Sequence, residues 1–344
     1  MTAAPAARHG VAVVGCGYWG PNLVRNLSTN PRAEVIGVAD LSEPRRKEMA
    51  RLHRVPVTAD YKSLLADGRV EIVFLATPAA THAALVLEAL AAGKHVFCEK
   101  PLSLNLSDGR KVAAALAKTP GRVFVVGHTF LYHRSVEYCR NLIASGELGE
   151  VQYAVSTRAN LGIFQTTLNC VWDLAPHDVS IANFLLGETP TEACCIGSAH
   201  VTPGVEDVAF AGLRYPSGAL VHMHLSWLAP AKTRETVIVG SKKMLIYDDM
   251  NAESPVQIYA KGVEKIPHYA DFAEFKFHYR FGDLLCPRIE MKEPVGCLVD
   301  HILDCLGGET PRTGIQNALE TVAAMEAMDR SMKNGGGFVP IEKP

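Results

Sequence analysis

A chain of 344 residues, 48% hydrophobic and 20% charged, holds apolar material for more than one core, and its length favours two domains. A formal net charge of −2 supplies no global basic field, which argues against nucleic acid and anionic membrane as bulk partners. No apolar run approaches the roughly 18 residues that span a bilayer.

The Ala-rich stretch Met1–Gly10 lacks the apolar core of a secretory signal and reads as a flexible lead-in. The nine cysteines form no paired Cys-x-x-Cys pattern. They read as reduced, mostly buried small hydrophobes of a cytoplasmic protein, and no metal site is expected.

In chain order, Val11–Val14 is an all-aliphatic run suited to a strand covered on both faces. Helical spacing follows over Trp19–Leu27, then a strand at Val35–Ala39 and a charged helix at Pro44–His53. Val70–Ala76 reads as a strand, Thr81–Ala92 as a helix and Lys94–Cys98 as a strand. Asp108–Leu116 is helical, and Arg122–Val126 supplies a further strand. This alternation predicts a doubly wound Rossmann domain over residues 1–126.

From Gly127 the texture changes. A helix at about Ser135–Ser145 precedes strands expected at Val151–Arg158, Glu192–Ala199, Val208–Tyr215, Ala219–Trp227 and Glu235–Tyr247. Tight turns such as Pro216-Ser217-Gly218 separate them, so a mostly antiparallel sheet in a second α+β domain is predicted over 127–344. A late amphipathic helix, Gln316–Lys333, ends at Gly335-Gly336-Gly337.

Gly15-Cys16-Gly17-Tyr18-Trp19-Gly20 directly follows the first strand and opens a helix, the context in which G-x-G-x-x-G is informative. Gly15 permits the tight turn, Gly17 lets backbone approach a pyrophosphate, and Gly20 allows close helix–strand packing. The helix start then offers unpaired N–H groups to phosphate. Asp40 ends the second strand, where a carboxylate accepts from an adenosine ribose diol and repels a 2′-phosphate, so NAD is the expected cofactor. Arg45 and Arg46 nearby pull towards NADP. The competing reading is a structural glycine turn with a solvated Asp.

Glu99-Lys100-Pro101 stands at the carboxyl end of one strand and Thr77-Pro78 at the end of its neighbour. Ligands of open α/β sheets bind at such ends. A lysine there can hydrogen-bond a substrate oxygen and polarise a C–OH or C=O, although alone the tripeptide is an ordinary charged turn. In Trp172-Asp173-Leu174-Ala175-Pro176-His177-Asp178, Asp173 and His177 are four apart and would share a helix face. Histidine accepts an alcohol proton, and a carboxylate orients it or holds another hydroxyl. Pro176 places the helix start late, with proline near its first turn. The rival reading is a capping Asp and a core His. His222 and His224 alternate on one strand face, as a pocket wall or as plain surface.

Taken in order, these motifs resemble the Gfo/Idh/MocA oxidoreductases along nearly the whole chain. The resemblance runs through Gly15–Gly20, Ala76-Thr77-Pro78 with His82, and Ala92-Gly93-Lys94-His95-Val96 into Glu99-Lys100-Pro101. It continues through Gly146-Glu147-Leu148-Gly149 to Asp173–Asp178. It implies a Rossmann domain joined to a mixed, mostly antiparallel open-faced sheet, often in homodimers or homotetramers. It further implies that Tyr18, Trp19, Thr77, Pro78, His82 and Glu99 border the cofactor, and that Lys100, Asp173 and His177 meet at the nicotinamide. The family commonly reads Asp-x-Gly-x-His; here Ala175 replaces that Gly and Pro176 follows, so altered geometry beside His177 is expected.

Gly17-Tyr18-Trp19-Gly20-Pro21-Asn22 and Trp172–Asp178 also resemble a nucleotide-sugar branch whose members oxidise the 3-hydroxyl of a UDP-N-acetylhexosamine. That resemblance extends around Ser226-Trp227-Leu228, Lys232, Arg234 and Val239–Lys243. It makes Lys232 and Arg234 candidates for a sugar-nucleotide diphosphate, or else a solvated strand edge that discourages pairing. Other readings on the same fold are a dehydrogenase or ketoreductase of another hexose or inositol, NAD-assisted glycoside cleavage, and a non-catalytic NAD or sugar sensor.

Overall fold

The computed structural model describes residues 8–265 and 277–344, so Met1–Ala7 of the expected lead-in lie outside the described residues. The contacts divide the chain into two units. One holds the residues up to Tyr132 together with Lys292–Ala323 and Lys343–Pro344; the other holds His133–Met291 and Ala324–Glu342.

Aliphatic runs with no polar alternation need cover on both faces, and the first unit provides it. Its strands are β1 (His9–Val14), β2 (Ala33–Ala39), β3 (Val57–Thr58), β4 (Ile72–Leu75), β5 (His95–Cys98) and β6 (Phe124–Val126). They form one sheet in the order β3-β2-β1-β4-β5-β6, every neighbour parallel. The helices between them are α1 (Gly20–Thr29), α2 (Glu43–His53), α3 (Tyr61–Ala66), α4 (Ala79–Ala91) and α5 (Leu106–Ala117). Chain order reverses between β1 and β4, the switch point at which such sheets bind dinucleotides beyond the strands' carboxyl ends.

Two details differ from the sequence reading. The lead-in is shorter, because His9 already pairs with Ala33 and Gly10 with Glu34. The sequence reading also lacked β3 and α3. A strand of two residues carries no periodicity, and α3 is a short helix whose Asp60 cap accepts from the Lys62 N–H at 2.9 Å.

The second unit begins with α6 (Arg134–Ala144), followed by β7 (Val151–Leu161) and α7 (Cys170–Leu186). Then come β8 (Glu192–Ser198), β9 (Val208–Arg214), β10 (Leu220–Ser226), β11 (Leu228–Gly240), β12 (Met244–Asp248), β13 (Val256–Lys265) and β14 (Phe277–Leu285). The chain closes with α8 (Pro294–Leu306), α9 (Ile315–Lys333) and β15 (Val339–Pro340). The sheet runs β14-β13-β12-β11-β7-β10-β9-β8-β15. Only the central β10–β7 pair is parallel among these described strands, so the sheet is mixed and mostly antiparallel.

The expected single strand Glu235–Tyr247 is two. The chain turns at Ser241–Lys243, where the Gly240 N–H donates to the Lys243 carbonyl at 3.0 Å. A Cβ at Gly240 would lie 2.2 Å from the Leu148 carbonyl oxygen, so this turn admits no side chain there. A boundary after Val126 also omits the return of the chain: α8 packs on α1, with Arg25 on Glu293 at 3.1 Å and Arg32 on Asp300 at 2.9 Å. No described helix is long and apolar enough to cross a membrane.

Candidate active site

The three glycines after β1 are required for different reasons. Gly15 has φ +96°, and a Cβ there would meet the Ala76 carbonyl oxygen at 2.5 Å. At Gly20 a Cβ would lie 2.1 Å from the Gly15 carbonyl oxygen, so α1 starts hard against the loop. Gly17 has no such crowding, since the nearest atom to its Cβ position is Arg45 Nη1 at 4.0 Å. Protein packing does not explain that glycine, whereas close approach of a phosphate does. Trp19 caps α1 without a side-chain hydrogen bond, Pro21 has no N–H, and the Asn22 N–H donates to the Trp19 carbonyl at 3.0 Å, so the Gly20 N–H is the first-turn donor that faces an anion. Tyr18, 74% exposed, stands edge-on to Trp19 at 5.6 Å between ring centroids.

Asp40 is bound to the backbone around it. Its carboxylate accepts from the Cys16 N–H at 2.6 Å and the Ser42 N–H at 2.7 Å, while Arg45 Nη1 stands 4.0 Å away. A ribose diol there would share a carboxylate that already fastens the glycine loop. Arg46 spends one arm on the Asp40 and Leu41 carbonyls, at 2.7 and 3.0 Å. These loops fit a dinucleotide, with Gly17 and the start of α1 for phosphate and Asp40 for ribose.

The segments leaving β4, β5 and β6 lie along the same edge of the sheet. Thr77 Oγ1 contacts Thr81 Oγ1 at 2.7 Å, and Pro78 is exposed at the start of α4. His82 does not face solvent: it is 1% exposed, with both ring nitrogens against carbonyl oxygens, of Pro101 at 2.7 Å and Thr77 at 2.8 Å. Any bearing it has on a cofactor therefore runs through those two segments. Lys100 is half-buried, beside the fully enclosed Glu99, whose carboxylate accepts from the Lys100 N–H at 3.3 Å. Burial pushes the Glu99 carboxyl up to about 7, against the opposing pull of the Lys100 charge and N–H.

His128, after β6, is one of the histidines whose spacing in the sequence makes no site. It is 1% exposed, and neither ring nitrogen has a hydrogen-bond partner among the described residues. Burial first, and then the Lys100 charge, lower it to about 3, so it is a neutral imidazole at physiological pH. No strand periodicity or motif marks it in the sequence.

In the second unit α7 starts at Cys170, earlier than the proline suggested, because Asn169 caps it by accepting from the Trp172 N–H at 3.1 Å. Pro176 lies inside the helix. Lacking an N–H, it cannot close the usual bond to the Trp172 carbonyl. Asp173 and His177, one turn apart, are both half-buried, while Ala175, Pro176 and Asp178 are buried. The Trp227 indole N–H donates to Asp173 Oδ2 at 3.0 Å and fixes that carboxylate. The Trp172 indole donates to Asp329 at 2.9 Å.

Next to His177, Asp178 takes a bidentate pair of bonds from Arg158 of β7, both at 2.9 Å and both buried. The sequence reading did not anticipate these supports, since Trp227, Asp329 and Arg158 are remote in sequence from α7. Lys232 is exposed in the register break of β11 between Leu228 and Thr233. Arg234 gives one arm to Asp249 at 3.0 Å, so its charge is partly answered within the protein.

The model of an oxidoreductase family with an NAD-binding Rossmann fold matches residues 9–128, and that of a GFO/IDH/MocA C-terminal domain matches residues 136–246. The chain is 31% identical to the 2,7-anhydro-N-acetylneuraminate hydratase of Escherichia coli over 256 residues, 69% of this chain and 67% of that protein. It is 29% identical to the myo-inositol 2-dehydrogenase of Thermotoga maritima over 259 residues, 72% of this chain and 77% of that one. Among solved structures, GenD2 from gentamicin A biosynthesis in complex with NAD superposes with a TM-score of 0.83 over 98% of both chains. At 24% identity that likeness speaks for the fold.

Proposed function

The chain belongs to the Gfo/Idh/MocA oxidoreductase family, and from that premise we propose that it oxidises a secondary hydroxyl of a sugar to a ketone. The 3-hydroxyl of a UDP-N-acetylhexosamine is the specific candidate. The observation that carries the reading is the α7 face on which half-buried Asp173 and His177 stand one turn apart, with Trp227 holding the carboxylate. A sugar or polyol substrate agrees with the names of the inositol and anhydro-sialic acid relatives.

NAD held by the Gly15–Gly20 loop and Asp40 would supply the acceptor for the hydride that leaves the carbinol carbon. His177 accepts the hydroxyl proton. Lys100 donates a hydrogen bond to the same oxygen and stabilises alkoxide character as it develops. Asp173, fixed by the indole, orients the substrate through a neighbouring hydroxyl. Lys232 and Arg234 are the proposed contacts for the diphosphate.

A second reading is supported by the hydratase relative. There a transient oxidation would acidify a neighbouring C–H, allow water or an alkoxide to leave or add, and restore the cofactor.

The test is NADH absorbance from purified protein with NAD, offered UDP-hexosamines, free hexoses and inositols, with a ketone trap to pull the equilibrium. A signal confined to UDP-N-acetylhexosamines is expected. A signal with free hexoses or inositols alone would keep the dehydrogenase and remove the nucleotide. Conversion of an anhydro-sugar or glycoside without NADH accumulation would select the second reading.

We extend the proposal to a cytoplasmic homodimer or homotetramer joined through the outer face of the nine-stranded sheet. There Phe210 stacks on His224 with centroids 4.8 Å apart, and Ile196, Tyr153 and Leu220 are exposed. Sedimentation should give a dimer or larger for the native chain and a monomer for Phe210→Asp. A monomeric native chain would overturn the extension.

A further inference from the structure

His82 lies in the first turn of α4 with one imidazole between two carbonyls: Nδ1 is 2.7 Å from the Pro101 oxygen and Nε2 is 2.8 Å from the Thr77 oxygen. Thr77 leaves β4, and Pro101 directly follows Lys100 at the exit of β5. A neutral imidazole carries one N–H and one lone pair. It can donate to one of these carbonyls only, and at the other it sets lone pair against lone pair. An imidazolium donates to both. The ring is 1% exposed, so bulk solvent does not relieve the mismatch.

We propose that His82 is a positioning residue for Lys100, a strap between the Thr77 and Pro101 carbonyls that holds both only while its ring is protonated. The proposal rests on Lys100 being the lysine that touches substrate. Burial most, the two carbonyls against it, and the Lys100 charge least set the ring's protonation; Lys100 is the charged group acting on it, and burial and that charge both disfavour the cation. Strap and lysine are thus coupled. Removing the Lys100 charge secures both carbonyls, and a charged Lys100 works to release one of them. The backbone carrying Lys100 is held by a bond whose number of donors depends on the lysine itself.

The test is nitrogen-15 NMR of histidine-labelled full-length protein with and without NAD, titrated from about pH 5 to about pH 9. The His82 ring is identified as the signal lost in His82→Phe, or in His82→Asn should the first variant fail to fold. In Lys100→Met the His82 protonation equilibrium should move towards the cation, with a midpoint above that of the native protein. His82→Phe, which donates to neither carbonyl, should lower kcat about tenfold with KM for NAD within about twofold.

A ring that stays in one neutral tautomer, equally in native protein and Lys100→Met, would overturn the strap. Failure of the functional reading looks different: the NMR coupling would persist while Lys100→Met turned over normally.

Discussion

Lys100→Met should lower kcat about 10³-fold and leave NADH affinity within about threefold. Methionine keeps the length of the side chain and removes both its charge and its donors. The half-buried Lys100 leaves β5 between a buried Glu99 and a Pro101 whose carbonyl meets His82. If its ammonium hydrogen-bonds the substrate oxygen, that bond strengthens as the oxygen gains negative charge, so its loss falls on turnover. Lys100→Arg should recover part of the activity, because a planar fork carries the charge but places its donors elsewhere. Steady-state NADH production on the substrate that the panel identifies, together with NADH fluorescence titration, separates the cases. Parallel loss of NADH binding would make Lys100 a cofactor anchor, and normal turnover would remove it from the chemistry.

The sequence spoke most clearly where local covalent chemistry is the cause. Gly15 and Gly20 are glycine because a Cβ would strike a carbonyl oxygen, and Gly17 because something outside the chain must come close. The Gly20 requirement is local, and that of Gly15, whose Cβ would meet the Ala76 carbonyl just beyond β4, is carried with it in a motif whose spacing can be read. The aliphatic runs of β1, β4 and β5 were equally plain, since burial on both faces leaves no alternation. The start of α7 was misplaced because Pro176 outweighed Asn169, although Asn169 has the chemistry of a cap. The split of β11 from β12 was also open to reading at Gly240-Ser241, a turn signal set inside a β-rich run.

What stayed hidden is relational. Trp227 lies 54 residues from Asp173 and Asp329 lies 157 from Trp172, and no pattern in the chain announces either bond. His128 and Glu99 are ordinary residues until the fold excludes water from them. Their unusual acid–base character is a property of burial beside Lys100, not of residue type. The place of Glu99 was therefore legible in its tripeptide, whereas its raised carboxyl and the whole of His128 were not.

Glu99→Gln tests that point through stability. The carboxyl titrates near its ordinary value, 4.5, in the unfolded chain and at about 7 in the fold, because burial penalises the charged form. A raised carboxyl gives the fold its full stability below the unfolded value and takes it away as pH rises through the folded one. Between about pH 4.5 and pH 7 the unfolded chain gives up a proton that the folded chain keeps. The difference should remove about 3 kcal/mol, and above pH 7 the loss is complete. Glutamine fills nearly the same volume without an ionisable group, so the variant lacks this slope.

Denaturant unfolding of the two proteins without cofactor should agree near pH 4 and diverge steadily. By pH 8 the variant should be the more stable by about 3 kcal/mol. Parallel curves across that range would mean that Glu99 is already charged in the fold, with water or a cation reaching it. If the curves diverge, this acid costs the fold stability at working pH, and what it contributes must lie beside Lys100, in cofactor binding or in the chemistry. NADH titration of the same variant at pH 8 then reads that contribution directly. A weakened affinity would place Glu99 at the cofactor, and an unchanged one would leave it acting on Lys100 alone.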